Sequence, residues 1–270
     1  MPLRQGATCD NIADYEQALA WFTAESPVIL ATVTQAPHGF GAHTWQLASA
    51  LTCYLHLRGH WQDRGLGLAC AGLKQFDDAR THCLRALDLF QEAGHHTGQA
   101  QVHLNLAWLA GVQGRNDEGL HHSCQSLRHY QAAGRRAGQA KALNNIGWHT
   151  AQQQDYKQAL ASCRQALAIV RELDDRNSQA HICDSLGYIY YHLGRHEKAI
   201  ESYQHALALF RATGDSYGEA TCLSGLGDIH DAVGEGRGAR GAWMQALAIL
   251  DRLGHQDADQ VRAKLRLRVA

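Results

Sequence analysis

Residues 135–174 read RRAGQAKALNNIGWHTAQQQDYKQALASCRQALAIVRELD, and residues 175–214 read DRNSQAHICDSLGYIYYHLGRHEKAIESYQHALALFRATG. Laid one above the other, the two stretches share their small and aliphatic columns without a gap. The step of 40 residues then extends in both directions. A small residue returns at Gly67, Ala107, Gly147, Gly187 and Gly227, each preceded by an aliphatic at Leu66, Leu106, Ile146, Leu186 and Leu226. Twelve residues on come Ala79, Gly119, Ala159, Ala199 and Ala239, and seven further Ala86, Ser126, Ala166, Ala206 and Ala246, each followed by leucine. Loop residues keep the same step at Gly94, Gly134, Asp174, Gly214 and Gly254. Self-similarity at a fixed period of this size marks a repeat architecture.

Apolar residues at i, i+3, i+4 and i+7 predict two amphipathic helices per unit, over 140–153 and 156–173 in the third unit. Short polar turns separate them, as in QGRNDE at 113–118 and LGRHEK at 193–198. Small residues fall where the two helices must approach closely. A single helical hairpin cannot cover its own apolar faces, so neighbouring units stack into a continuous core. The expected fold is all-α.

These columns resemble the tetratricopeptide repeat (TPR), in a 40-residue version with a lead-in of the form GD-x-x-G-x-A at Gly214, Asp215, Gly218 and Ala220. The proline that often ends the second helix of that family is missing throughout, which leaves those ends to glycine and packing. The resemblance implies a right-handed superhelical α-solenoid of five units, at about 59–94, 95–134, 135–174, 175–214 and 215–254. Residues 255–270 are expected to form a capping helix with Ala258, Val261 and Leu265 on one stripe. Residues 1–58 do not fit the register. They read as a helical cap or degenerate repeat, with helices near 11–25, 26–36 and 41–58 and the loop APHGFG.

The stretches DYEQALAWFTAES and HTWQLASALTCYLHLRGHW are similar to the region leading into the repeats of actinobacterial transcription regulators. These are the antibiotic-regulatory-protein class and its relatives with a nucleotide-binding oligomerisation module. Arginine outnumbers lysine 20 to 5, as a GC-rich genome favours. The chain has neither a GxxxxGK[ST] phosphate loop nor a recognisable DNA-binding helix-turn-helix. The resemblance implies the sensor or interaction module of a regulator controlling secondary metabolism. A stand-alone adaptor or scaffold is the other reading.

In such a solenoid the first helix of each unit lines the concave groove. One column there is Leu68, Trp108, Trp148, Tyr188 and Asp228, whose aromatics would supply large, rigid contact area or pack between units. Beside it runs a polar column of Asn105, Asn145 and Ser185, with Asn144 and Asp184 one residue earlier. Members of the family with this repeat length commonly use an asparagine at the matching place to hold a ligand's backbone. Gln101, Lys141 and His181 stand nearer the helix starts, where a carboxylate could be read, and Arg64 holds the first unit's groove position. The expected partner is a protein or peptide, or another domain of the same regulator, and a homodimer is compatible with the open ends.

Other function classes fit poorly. The net charge is −1 with no basic block, so clustered cations for nucleic acid are lacking. No 18-residue apolar run is present, so no membrane span is expected, and the start lacks the apolar core of a secretory signal. A cytoplasmic location follows as an expectation. The eight cysteines fall singly in helical patterns and read as reduced core residues. Cys83 and Cys163 share a column with Tyr203 and Trp243, which suits packing better than nucleophilic chemistry. Among 18 histidines there is no HExxH, and His192 and His196 straddle Gly194, so no metal or other cofactor is expected. The GEGRG stretch at 234–238 lies between helices rather than after a strand, a poor context for phosphate. No catalytic role is expected.

Overall fold

The computed structural model describes residues 73–267, all of whose regular elements are α-helices. In chain order these are α1 (Leu73–Glu92), α2 (His96–Val112), α3 (Asn116–Ala132), α4 (Arg136–Gln152) and α5 (Tyr156–Glu172). They continue with α6 (Arg176–His192), α7 (His196–Thr213), α8 (Ser216–Ala232), α9 (Gly236–Leu253) and α10 (Asp257–Leu267). The expected helices within 10–58 and the first helix of the first unit, with Arg64, Gly67 and Leu68, lie outside the described residues.

The links between helices are built alike. A left-handed residue recurs every 20 positions, at Gly94, Gly114, Gly134, Gln154, Asp174, Gly194, Gly214, Gly234 and Gly254. The residue after it donates its N–H five positions back, as Arg115 does to the Ala110 carbonyl at 2.8 Å and Asp215 to Phe210 at 3.0 Å. This is a Schellman closure, which satisfies the carbonyls left over at a helix end. The donating residue is also the N-cap of the next helix. Asp155, Asp175 and Asp215 accept from the N–H three residues on, at 3.1, 3.0 and 2.8 Å. One residue therefore closes one helix and opens the next, which holds the links to two or three residues.

The sequence expectation placed the start of α4 at 140, whereas the helix begins at Arg136. Gly138 sits in the first turn of this helix. A Cβ there would lie closer than 3.0 Å to the Tyr130 ring. Gly98 and Gly218 make the same room for Phe90 and Phe210. In the equivalent pairs Val170 faces the Ser178 position and Leu250 the Ala258 position, so a smaller ring-site residue coincides with a larger partner. The GD-x-x-G-x-A lead-in is correspondingly shorter than it reads, since only Gly214 and Asp215 precede α8.

The same compensation operates inside each unit. Where the second helix carries Cys163, Tyr203 and Trp243, the first carries Gly147, Gly187 and Gly227, each with no room for a Cβ. Where it carries the buried Ser123, the first helix carries Ala107. One core cluster runs unbroken from α4 to α10, with Ala159, Ala199 and Ala239 fully or almost fully buried along it. At its end Ala258 and Val261 of α10 are buried and Leu265 packs alongside.

Each helix packs on the next, and α2, α4, α6 and α8 also approach one another in turn. The second helices make no comparably extensive approach among the described residues. The first helices are thus the crowded, inner layer of the stack. The fold is an α-solenoid.

Candidate functional site

The inner layer carries the aromatic column. Trp108 is half-buried on α2, Trp148 is 36% exposed on α4, and Tyr188 is half-buried on α6. The structure brings Trp148 and Tyr188 together, with ring centroids 5.2 Å apart across the joint between two units. Tyr188 continues to His192 at 4.4 Å, and His192 stacks flat on Tyr156 at 5.0 Å. Packing between units and exposure to solvent therefore coexist in this patch. Burial and the nearby Tyr156 raise the Tyr188 hydroxyl above its usual value, with a smaller opposing hydrogen bond from Gln152.

The polar band beside it is more occupied than its spacing suggests. Asn145 donates to the Lys141 carbonyl of its own helix at 2.9 Å, and Ser185 does the same to His181 at 3.1 Å. Asn105 accepts from Gln101 at 3.3 Å, and Gln101 in turn accepts from the Tyr130 hydroxyl at 3.0 Å. Asn144 accepts from the Cys163 thiol at 3.7 Å, and Asp184 from the Cys222 thiol at 3.4 Å. The His181 ring meets Phe210 edge-on at 5.0 Å, while Lys141 stands exposed.

Two carboxylates of this region behave oppositely. Burial raises Asp184 to about 7, assisted by the charge of Asp215 and opposed by the Cys222 hydrogen bond. Burial also pushes Asp175 up, but two hydrogen bonds from Ser178 and the charges of Lys141 and His181 outweigh it and hold Asp175 low. The thiols are held protonated by burial, Cys163 up to about 12 and Cys83 and Cys183 up to about 11. A nucleophilic cysteine needs the reverse shift. The five described cysteines are all free.

At the far end of the column Asp228 is consumed by structure. Trp243 donates its indole N–H to one oxygen at 3.0 Å, and Lys264 of α10 reaches the other at 2.7 Å and Ser224 at 3.2 Å. The capping helix closes the inner layer at this point.

The sequence reading missed a second constellation, four imidazoles aligned between α2 and α3. His103 and His122 meet Nδ1 to Nδ1 at 3.1 Å, and His96 and His129 at 3.3 Å. His103 also stacks on His129 with centroids 5.6 Å apart, which joins the two pairs into one ladder. The signal was present: 96 and 103, and 122 and 129, are seven apart on antiparallel helices and so share a face. Among the described residues no three histidine, cysteine or acidic side chains converge as a metal site, and no helix is long and apolar enough to cross a membrane.

The tetratricopeptide repeat model matches residues 57–132 and 178–252, more than half of the 270 residues, and a second model of the same repeat matches 139–173. The chain belongs to the tetratricopeptide repeat family. No curated protein matches the TPR chain in sequence. Its fold is similar to that of BtubC (BKLC) from P. vanneervenii at 20% identity, with 88% of this chain and 92% of that one covered and a TM-score of 0.59. It is also similar to a Rap protein complexed with competence and sporulation factor, at 16% identity, 93% and 72% coverage and TM-score 0.55. A third likeness is to a signal transduction ATPase with numerous domains and a TPR sensor from Pyrococcus horikoshii, at 13% identity and TM-score 0.53. That match covers 94% of this chain but 44% of the other. At these identities the likeness is one of fold. TPR arrays are protein-interaction scaffolds, and this chain is an interaction module of that kind.

Proposed function

We propose that this TPR module binds a protein or peptide segment, without catalysis, in the groove lined by α2, α4 and α6. The observation that carries the reading is the Trp148–Tyr188 pair, which spans two units on the inner layer and keeps Trp148 solvent-accessible. Rigid aromatic area of this kind anchors protein interfaces with little loss of side-chain freedom. Lys141, Asn105, Asn144, Asn145, His181 and Asp184 supply the polar rim. Asn145 and Asn105 keep hydrogen-bonding capacity for a ligand backbone, because each uses only part of its amide in the contacts above. Asp228, held by Trp243 and Lys264, marks the end of the groove.

We further propose that the module is the sensor or interaction part of a bacterial transcription regulator of secondary metabolism. The sequence resemblance carried by residues 14–26 and 43–61 supports this, as does the likeness of fold to an ATPase whose sensor is a TPR array. The competence and sporulation factor complexed with the Rap neighbour supports a ligand-holding array. Photo-crosslinking separates the readings. A photoreactive residue at Lys141 should capture a polypeptide from the native host, and Trp148→Ala with Asn145→Ala should abolish the capture. The same probe at Met244, exposed on α9, should not capture it. Equal capture from both sites, or unchanged affinity in the double variant, excludes the groove. A partner bearing a P-loop or DNA-binding segment favours the regulator, and one without either favours an adaptor.

A further inference from the structure

The array supplies its own control for the histidine ladder. Position 103 corresponds to Leu143, Cys183 and Leu223, and position 129 to Ile169, Leu209 and Ile249. Only the second unit, among those whose both helices are described, places imidazoles at these apolar sites. A departure from a molecule's own pattern marks a site where something other than packing is served.

We propose that the ladder His96–His129–His103–His122 is a proton-operated latch on the α2–α3 hairpin, closed while the rings are neutral and opened by their protonation. Each Nδ1 to Nδ1 contact needs one ring to donate and the other to accept. Two protonated rings would point N–H at N–H across 3.1 or 3.3 Å, with like charges in contact. The stack of His103 on His129 carries that repulsion from one pair to the other.

The surroundings offer little compensation. His121 of α3 lies beside His122, with ring centroids 5.4 Å apart, and adds to the repulsion. Among the described residues the one carboxylate facing the ladder is Glu118, 3.8 Å from His122, and it is already shared by Arg80 of α1 at 3.2 Å and by Arg115. The remaining described acids of α1, Asp88 and Glu92, are exposed. From α4, Arg136 is drawn to Glu172 and Lys141 towards Asp175. His149 of α4 meets the other end of the hairpin at Asn116.

Burial, then the neighbouring imidazoles, lower His103 from 6.5 to about 4, and burial likewise lowers His122 and His129. The opened hairpin therefore takes up protons that the closed one refuses. Closure is fully favoured above about 6.5 and is lost as the pH falls towards about 4.

Native-state hydrogen exchange on the full chain, corrected for intrinsic rates, reads the latch directly. Between pH 6.5 and 4.5 the opening equilibrium of α2 and α3 should rise by up to about tenfold per pH unit, the limit for one proton taken up. The amides of α9 should respond much less, and those of α8, which packs Cys222 on Asp184, should not follow the rise. Replacing His103→Leu and His129→Ile, the residues of sister units, should at least halve the slope, with the remainder due to His122 and to His149, which burial lowers to about 4. An unchanged slope overturns the proposal. If the double variant fails to fold, His122→Ser is read by the same criterion, since Ser162 and Ser202 hold that position elsewhere. Titration of the His103 ring by NMR near the value of a free imidazole also overturns it.

Discussion

Two residues of the repeat, Gln154 and Asp174, hold a left-handed conformation with φ of 67° and 51°, where seven sister positions use glycine. A side chain there crowds the backbone, at a cost of roughly 1–2 kcal/mol that aspartate tolerates better than glutamine. Glycine removes the crowding but loses more chain entropy on folding. Gln154→Gly should therefore stabilise the protein by about 0.5–1 kcal/mol and Asp174→Gly by less, as read from urea midpoints at constant m. A stricter residue-scale test lies in the close approach of α4 and α5. A Cβ at Gly147 would enter the space of the Cys163 sulfur and come within 3.1 Å of the Ala159 carbonyl. Gly147→Ala should cost about 1–3 kcal/mol, as overpacking generally does. Adding Cys163→Ser rebuilds the Ala107 and Ser123 pair of the neighbouring unit and should recover most of that loss. The double-mutant cycle should show strong coupling, and additivity would mean the two columns do not compensate.

At the scale of the element, α6 gathers opposed charge effects. Asp175 caps its start, and Asp175→Ala should cost about 1 kcal/mol, seen as a lowered thermal midpoint. Asp184 in its middle is raised to about 7 by burial. A raised carboxyl works against folding above its folded value and does no harm below its unfolded one, so wild-type stability is lost as pH rises from about 4 to about 7. Asp184→Asn keeps an oxygen to accept from Cys222 and should gain about 1–3 kcal/mol at pH 8, with the gain vanishing near pH 4. Stability curves at the two pH values check both sign and window. This dependence runs opposite to that of the histidine ladder, so the two sites are separable by pH alone. Element limits were legible in the sequence where an apolar column or a glycine cap recurred, as at Gly94, Gly134 and Gly214. The intervening turns were legible at Gly114 and Gly194, while Gln154 conceals the step between them. Gly218 misled in the other direction, since a glycine that makes room for a ring looks like one that makes a turn. The groove column was legible as position, and Trp148 and Tyr188 do meet. What spacing could not convey was how much of the polar band is already bonded, because the thiols of Cys163 and Cys222 that occupy Asn144 and Asp184 lie 19 and 38 residues away.

At the scale of the whole array, each unit leans on its neighbours in sequence, so stability is approximately a sum of unit and joint terms. The last joint is made by α10, which buries Ala258 and Val261 and ties Lys264 back to Ser224 and Asp228 on α8. Its loss would leave Ile249 and Leu250 of α9 uncovered and leave Asp228 with Trp243 as its remaining partner here. A variant ending at Gly254 should therefore lose hydrogen-exchange protection first in α9, then in α8, while α4 and α5 keep most of theirs. The reason is that no described contact joins α10 to units further back than α8 and α9, so the loss reaches them only through successive joints. Lys264→Met would separate the two parts of the effect, keeping the apolar cover while breaking the tie to Asp228. It should cost well under half of what the truncation costs, since a partly exposed ion pair contributes about 1 kcal/mol or less. Uniform loss of protection across all units would instead mean that the array unfolds as one block, with joints too strong for its ends to open alone.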